Sequence, residues 1–264
     1  MIEPKNIPVV ILCGGEGTRF REETQNKPKP MVPIGQHPIL WHIMQTYLHY
    51  GFERFILCLG YRGDVIKDYF LNFENNLHDF KLDLNSGKIS YFDAPEPLSG
   101  EIIFADTGLK TQTGGRIKRI EKYIDSDHFM LTYGDGVANV NLNELLAFHL
   151  AEGRIGTVTG VNSLSRFGEL AIENNRVTQF IEKPEVTSII NGGYFVFKKA
   201  FFDYLSESED CILERAPLEN LVKDKQLSLF RHYGFWQCMD TFKDYSSLNA
   251  LCENGTGPWH DWPS

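Results

Sequence analysis

Apolar positions along the chain come in two rhythms, and they alternate from the amino end. Residues 7–13 form a short apolar run that ends in Gly14-Gly15. A run this short and rich in β-branched residues predicts a central parallel strand, covered on both faces, that enters a tight loop. From Pro38 to Tyr50 the apolar residues Ile39, Leu40, Ile43, Met44, Tyr47 and Leu48 recur at helical spacing. Pro38 suits the first turn of that helix and Gly51 its stop. Residues 55–59 predict a second buried strand closed by Gly60, and residues 65–73 a second amphipathic helix. The first 75 residues thus follow the β-α-β-α rhythm of a doubly wound sheet, in which ligands gather at the carboxyl ends of the strands.

Residues 81–104 break this rhythm. Asn85-Ser86-Gly87 and Pro95-Glu96-Pro97 predict a hairpin and a loop, a small β-rich insertion. Residues 129–133 restore the buried-strand pattern. A helix over 142–150 follows, with Asn141 or Asn143 near its cap, and then a strand over 157–161. Beyond it short strands (168–172, 177–181, 193–197, 227–233) mix with helices near 200–205, 218–223 and 241–252. The predicted class is α/β, read as one domain over 1–264 with insertions.

Charge and cysteine usage narrow the functions this domain can have. Twenty-six Lys and Arg against 35 Asp and Glu leave a formal charge of −9, which disfavours nucleic acid and anionic membrane as partners. A small triphosphate stays compatible, because backbone amides, a few local cations and a metal can hold one inside an acidic protein. No run of 18 apolar residues predicts a membrane span, and no secretory leader is expected. The five scattered cysteines contain no C-x-x-C pair, which fits a reducing cytoplasm better than a disulfide framework or a zinc site.

The candidate chemistry sits just after the first predicted strand. In Leu12-Cys13-Gly14-Gly15-Glu16-Gly17-Thr18-Arg19 three glycines would let backbone amides approach an anion, beside the cation of Arg19. A plain strand-to-helix turn would look similar. The loop is neither a Walker motif nor a dinucleotide fingerprint, since Phe20 stands where the latter needs glycine or alanine. Next comes Lys27-Pro28-Lys29-Pro30-Met31, whose prolines deny the chain a helix and present the lysines on a stiff extended arm; a solvated surface loop is the bland alternative. Asp135 lies between Gly134 and Gly136 at the end of a predicted strand, where it is a site carboxylate or an ordinary Asp-Gly turn. Asp240 precedes a predicted helix and could be only its cap.

Taken together, Gly14-Gly15-x-Gly17-Thr18-Arg19 and the Lys-Pro-Lys-Pro-Met segment resemble the signature of the sugar nucleotidylyltransferases. Pro38-Ile-Leu-Trp-His-Ile-Met44 is similar to the members that join CTP to glucose 1-phosphate. Further islands keep the family's order: Thr113 to Arg119, Thr132 to Val137, Arg166-Phe-Gly168, Glu182-Lys-Pro184, Asn191-Gly-Gly193, Gly234 to Thr241 and Pro258-Trp259. The resemblance implies a Rossmann-like, mixed, mostly parallel sheet flanked by helices, Mg²⁺ as cofactor, and attack of the sugar phosphate on the α-phosphorus of CTP. It assigns Arg19, Lys29, Asp135 and Asp240 to catalysis, the two carboxylates as metal ligands. Nucleotide binding falls to Leu12, Gly14, Gly15, Glu16, Gly17, Thr18, Arg19, Lys29, Thr111, Arg116 and Gly134, with Lys27 as a neighbour. Thr111 and Arg116 are expected just ahead of a helix, where the arginine could donate to the O2 and N3 edge of cytosine. Glu182, Lys183, Asn191, Gly192 and Gly193 would hold the sugar phosphate, in a half of the chain that starts near residue 154. A homo-oligomer is also implied.

Two rival classes fit the same residues. One is a related transferase that uses UTP, dTTP or another sugar 1-phosphate. The other is a non-catalytic nucleotide sensor, disfavoured because Lys29, Asp135 and Asp240 are all present.

Overall fold

Residues with apolar neighbours on both sides of the chain need cover on both faces, and the fold supplies it with one seven-stranded sheet. The computed structural model describes residues 3–17, 24, 26–93, 100–163, 169–173, 176–181, 188–252 and 257–261. Its sheet strands are β1 (Pro8–Leu12), β2 (Arg54–Leu59), β3 (Glu101–Asp106), β4 (His128–Tyr133), β5 (Gly156–Ser163), β6 (Ser188–Lys198) and β7 (Leu227–His232). They lie in the order β7-β5-β6-β4-β1-β2-β3. β6 runs antiparallel to both neighbours, and the other four pairings are parallel. The sheet is therefore mixed and mostly parallel, as the resemblance implied.

β1 shows why its run is apolar throughout. Val9 and Ile11 face a core made with Ile39, Ile43 and Tyr47 of α1 (Ile39–His49), whereas Val10 and Leu12 face a second core with Ile117, Phe129 and Phe201. Successive strand side chains point to opposite faces, so a strand between two helical layers carries no polar face.

The crossover helices are α2 (Gly63–Leu71), α3 (Phe73–Leu77), α4 (Thr113–Arg119), α5 (Leu142–Glu152), α6 (Ala216–Lys223) and α7 (Phe242–Leu251). Asn141 caps α5 by accepting from the Glu144 amide, and Gly153 ends the helix at φ 66°. That left-handed turn costs glycine little and most other residues more.

Three features depart from the sequence reading. The insertion does contain a hairpin, Phe80–Leu82 against Ile89–Tyr91, but residues 101–106 form edge strand β3 rather than loop. An edge strand is covered less completely, so its apolar pattern is weaker. The helix expected near 200–205 is a 3₁₀ segment, Lys199–Tyr204. Finally, a two-stranded ribbon pairs Trp236–Cys238 with Gly136–Ala138, and such short strands carry little pattern of their own.

Candidate active site

At the carboxyl ends of β1, β3 and β4 the segments that follow these strands, with Lys29-Pro30 and Asp240, enclose a cavity of about 340 Å³. Leu12, Gly14, Gly15, Gly17, Lys29, Thr111, Arg116, Gly134, Asp135 and Asp240 line it, together with Cys13, Pro30, Gln112, Thr113 and Tyr133. Glu16 is exposed on the same loop and does not line the cavity. Thr18, Arg19, Glu182 and Lys183 lie outside the described residues.

In the cavity wall Lys29 bridges two carboxylates. Its ammonium donates to Asp135 Oδ2 at 2.7 Å and to Asp240 Oδ1 at 2.5 Å. Lys29 opens a 3₁₀ turn, Lys29–Met31, after extended Pro28, so the stiff arm ends in a tight corner. The ribbon explains how residues far apart in sequence converge: the Met239 amide donates to the Asp135 carbonyl at 2.8 Å, in continuation of its pairing. Thr241, not Asp240, caps α7, in a capping box with Asp244. The Asp240 side chain is thus left to face Lys29. Burial by itself would pull the Lys29 pKa down, but Asp135 and Asp240 outweigh it and leave the pKa raised. Both carboxylates are 32% exposed, so solvent and ligand reach them. Two hard-oxygen donors beside the glycine-lined cavity fit Mg²⁺, which is commonly held by one or two carboxylates together with substrate phosphate and water.

Arg116 behaves differently from expectation. It lies within α4 rather than ahead of it, is buried, and spends its Nη donors on protein. Nη1 reaches Leu59 O (3.0 Å), Thr107 Oγ1 (2.8 Å) and Gly108 O (2.8 Å), while Nη2 reaches Gly14 O (2.9 Å) and Leu109 O (3.2 Å). The guanidinium thereby ties the end of β2 to the segments after β1 and β3. Gly14 and Gly60 leave room for it, since a Cβ on either would fall 2.1 Å or 2.5 Å from Nη1. The glycine loop has a packing duty beside any anion-binding one. Donation from this guanidinium to a cytosine edge is not what the geometry offers. Thr111, also buried, accepts from Arg119 at 2.8 Å.

A smaller cavity of about 50 Å³ adjoins the first and shares Tyr133 and Asp135 with it. Asn191, Gly192 and Gly193 line it, where the pairing of β6 with β5 is interrupted by a bulge. Bulges of this kind re-aim the chain beside active sites. Asn191 Oδ1 accepts the Gly193 amide at 2.8 Å, and Gly193 has φ 82°. Trp236 and Cys238 stand in the same wall, with the indole of Trp236 donating to Gly192 O at 2.7 Å. Tyr133 donates to Glu214, and burial raises the pKa of its hydroxyl. Tyr133, Trp236 and Gln112 are wall residues to which no motif gave a role. Trp236 stands inside a recognised island, and an aromatic side chain in a short segment near a site aspartate was the available signal. The thiol of Cys13, pushed up by burial, is a packing group behind the loop.

A glycine-lined cavity at the strand ends, with two carboxylates and a lysine in its wall, is the arrangement of an enzyme that handles nucleotide phosphates. The family model for nucleotidyl transferases matches residues 8–254, and the chain belongs to that family. Within it the chain is 45% identical over 253 residues to the "Probable glucose-1-phosphate cytidylyltransferase" of Bacillus subtilis (strain 168), covering 96% of this chain and 99% of that relative. It is 42% identical over 256 residues to the glucose-1-phosphate cytidylyltransferase of Salmonella typhi, covering 96% and 98%. Among solved structures, HddC from Yersinia pseudotuberculosis superposes with a TM-score of 0.66 at 26% identity, over 95% of this chain and all of that one. Among the described residues no helix is long and apolar enough to cross a membrane.

Proposed function

We propose that this protein transfers the cytidylyl group of CTP to α-D-glucose 1-phosphate, giving CDP-glucose and pyrophosphate, with Mg²⁺ as cofactor. The observation that carries this reading is the meeting of Asp135, Asp240 and Lys29 beside the glycine-lined cavity. The substrate pair comes from the names of the relatives at 45% and 42% identity over nearly the whole chain.

A phosphate oxygen of the sugar phosphate attacks the α-phosphorus of CTP as the bond to the β-phosphate oxygen breaks, and pyrophosphate leaves. The nucleophile is already an anion at neutral pH, so no general base is needed. What the site must supply is charge compensation and alignment of two anions. Held by Asp135 and Asp240, Mg²⁺ would supply a hard divalent charge that the phosphates can share. The loop amides of Gly14, Gly15 and Gly17 would face the triphosphate, with Thr18 and Arg19 assigned there by the resemblance. Lys29 would bind phosphate near the reaction centre. Leu12, Glu16, Thr111, Arg116 and Gly134 would complete the nucleotide end, Arg116 by holding loops in place. Asn191, Gly192, Gly193, Glu182 and Lys183 would hold the sugar phosphate, in the half of the domain that begins near residue 154. A cytoplasmic location fits the free cysteines among the described residues. For the homo-oligomer implied by the resemblance, Leu82, Leu84 and Phe92 on the insertion offer exposed apolar surface.

A panel of CTP, UTP, dTTP, ATP and GTP with glucose 1-phosphate, scored by pyrophosphate release with and without Mg²⁺, tests the proposal. CTP should give the highest kcat/KM, and chelation should abolish turnover. Faster turnover with UTP or dTTP would reassign the donor. Tight CTP binding without pyrophosphate release across a panel of sugar phosphates would favour the sensor reading.

A further inference from the structure

Lys29 occupies the position that a metal ion shared by Asp135 and Asp240 would take. Its Nζ lies 2.7 Å from Asp135 Oδ2 and 2.5 Å from Asp240 Oδ1, so one ammonium satisfies one oxygen of each carboxylate. Mg²⁺ needs oxygen ligands at about 2.0–2.1 Å, so exchanging ammonium for metal would draw each carboxylate inward by roughly half an ångström. A metal bound to the same two oxygens would stand within contact distance of the ammonium with like charge, so the two cations compete for that gap.

The lysine has somewhere else to go. It lines the same cavity as Gly14, Gly15 and Gly17, and its stem runs beside the loop, where a Cβ on Gly17 would sit 3.4 Å from Lys29 Cβ. The stem is held, with the side chain 11% exposed overall, but the terminal bonds of a lysine rotate easily. Rotation about them would carry the ammonium from the carboxylates toward a triphosphate in the cavity.

We propose that Lys29 is a displaceable internal cation: it holds Asp135 and Asp240 together and excludes a divalent ion until the triphosphate draws its ammonium away. Metal then enters with the nucleotide rather than before it. Each event favours the other, because the triphosphate offers the ammonium new acceptors as it brings the metal its remaining oxygens. This inference rests on the reading of Asp135 and Asp240 as the metal pair. It differs from a fixed bridge, in which Lys29 would support the carboxylates whether or not metal is bound.

The test is Mn²⁺ binding to the full-length protein, measured by electron paramagnetic resonance with and without CTP and corrected for Mn²⁺ held by CTP in solution. No sugar phosphate is present, so nothing turns over. Lys29→Met should bind Mn²⁺ without CTP roughly tenfold more tightly than the unaltered protein, because the competing charge is gone. The tightening caused by CTP, large in the unaltered protein, should shrink in the variant. Lys29→Gln removes the charge but keeps a donor, and it should shift affinity in the same direction, which keeps the test open should Lys29→Met fail to fold. Equal or weaker Mn²⁺ binding in a folded neutral variant would overturn the displacement idea while leaving the metal pair intact. Failure of every form to bind Mn²⁺, with or without CTP, would overturn the metal reading and the inference together.

Discussion

The carboxylate of Asp240 faces Lys29 because its neighbour Thr241 caps the helix. An aspartate just ahead of a helix is a natural cap, yet the Thr241 hydroxyl accepts from the Asp244 amide at 3.2 Å and the Asp244 carboxylate accepts from the Thr241 amide at 2.9 Å. Asp240→Asn should therefore leave α7 intact, raise the Mg²⁺ concentration for half-maximal rate by about tenfold or more, and lower kcat. A metal titration beside a thermal melt checks it. Arg116 yields the opposite expectation. Arg116→Ala strips donors from four backbone carbonyls around the cavity. It should cost roughly 2–4 kcal/mol in urea unfolding and weaken CTP, UTP and dTTP by similar factors. A change confined to the preference among the three, without loss of stability, would restore the base-reading role.

At the scale of elements, the long buried pieces were legible and the short paired ones were not. The run at residues 7–13 and the helical spacing at 38–50 predicted β1 and α1 to within about two residues, because each buries a large apolar face that only one periodicity satisfies. The ribbon of Gly136–Ala138 with Trp236–Cys238 has three residues on each side. Strands that short show no period, and what defines them is the partner. The bulge at Asn191-Gly192-Gly193 is similar. Its glycines were visible, but their reason is a close approach: a Cβ on Gly193 would meet the Tyr133 ring at 2.8 Å, at a backbone φ of 82°. Gly193→Ala should cost roughly 1–3 kcal/mol and raise KM for glucose 1-phosphate more than KM for CTP. Kinetics with each substrate varied in turn would reveal the asymmetry.

Across the whole molecule, buried histidines make stability depend on pH. Burial, with neighbouring His260 and His37, lowers the His42 pKa to about 4, and burial with His128 and Lys198 does the same for His149. Unfolded histidine titrates near 6.5. Between these values the unfolded chain binds more protons, so the stability present above pH 6.5 is lost as pH falls toward 4. Each histidine should remove on the order of 2 kcal/mol by pH 5. His42→Gln should flatten part of that slope, as read from urea unfolding at pH 7.5 and pH 5. A slope unchanged by the substitution would place the acid sensitivity elsewhere.

The amino-acid order alone determined the alternation of buried strands and amphipathic helices, and with it the sheet edge where ligands would gather. It also determined the glycine loop and the Lys-Pro-Lys-Pro arm, because those properties depend on residues adjacent in the chain. Only the tertiary structure decided that Asp135 and Asp240 share one lysine, that the glycines of the loop admit a buried arginine, and that residues 101–106 close an edge of the sheet. Those outcomes turn on which distant backbone segments hydrogen-bond to each other, and local periodicity carries no record of a partner a hundred residues away.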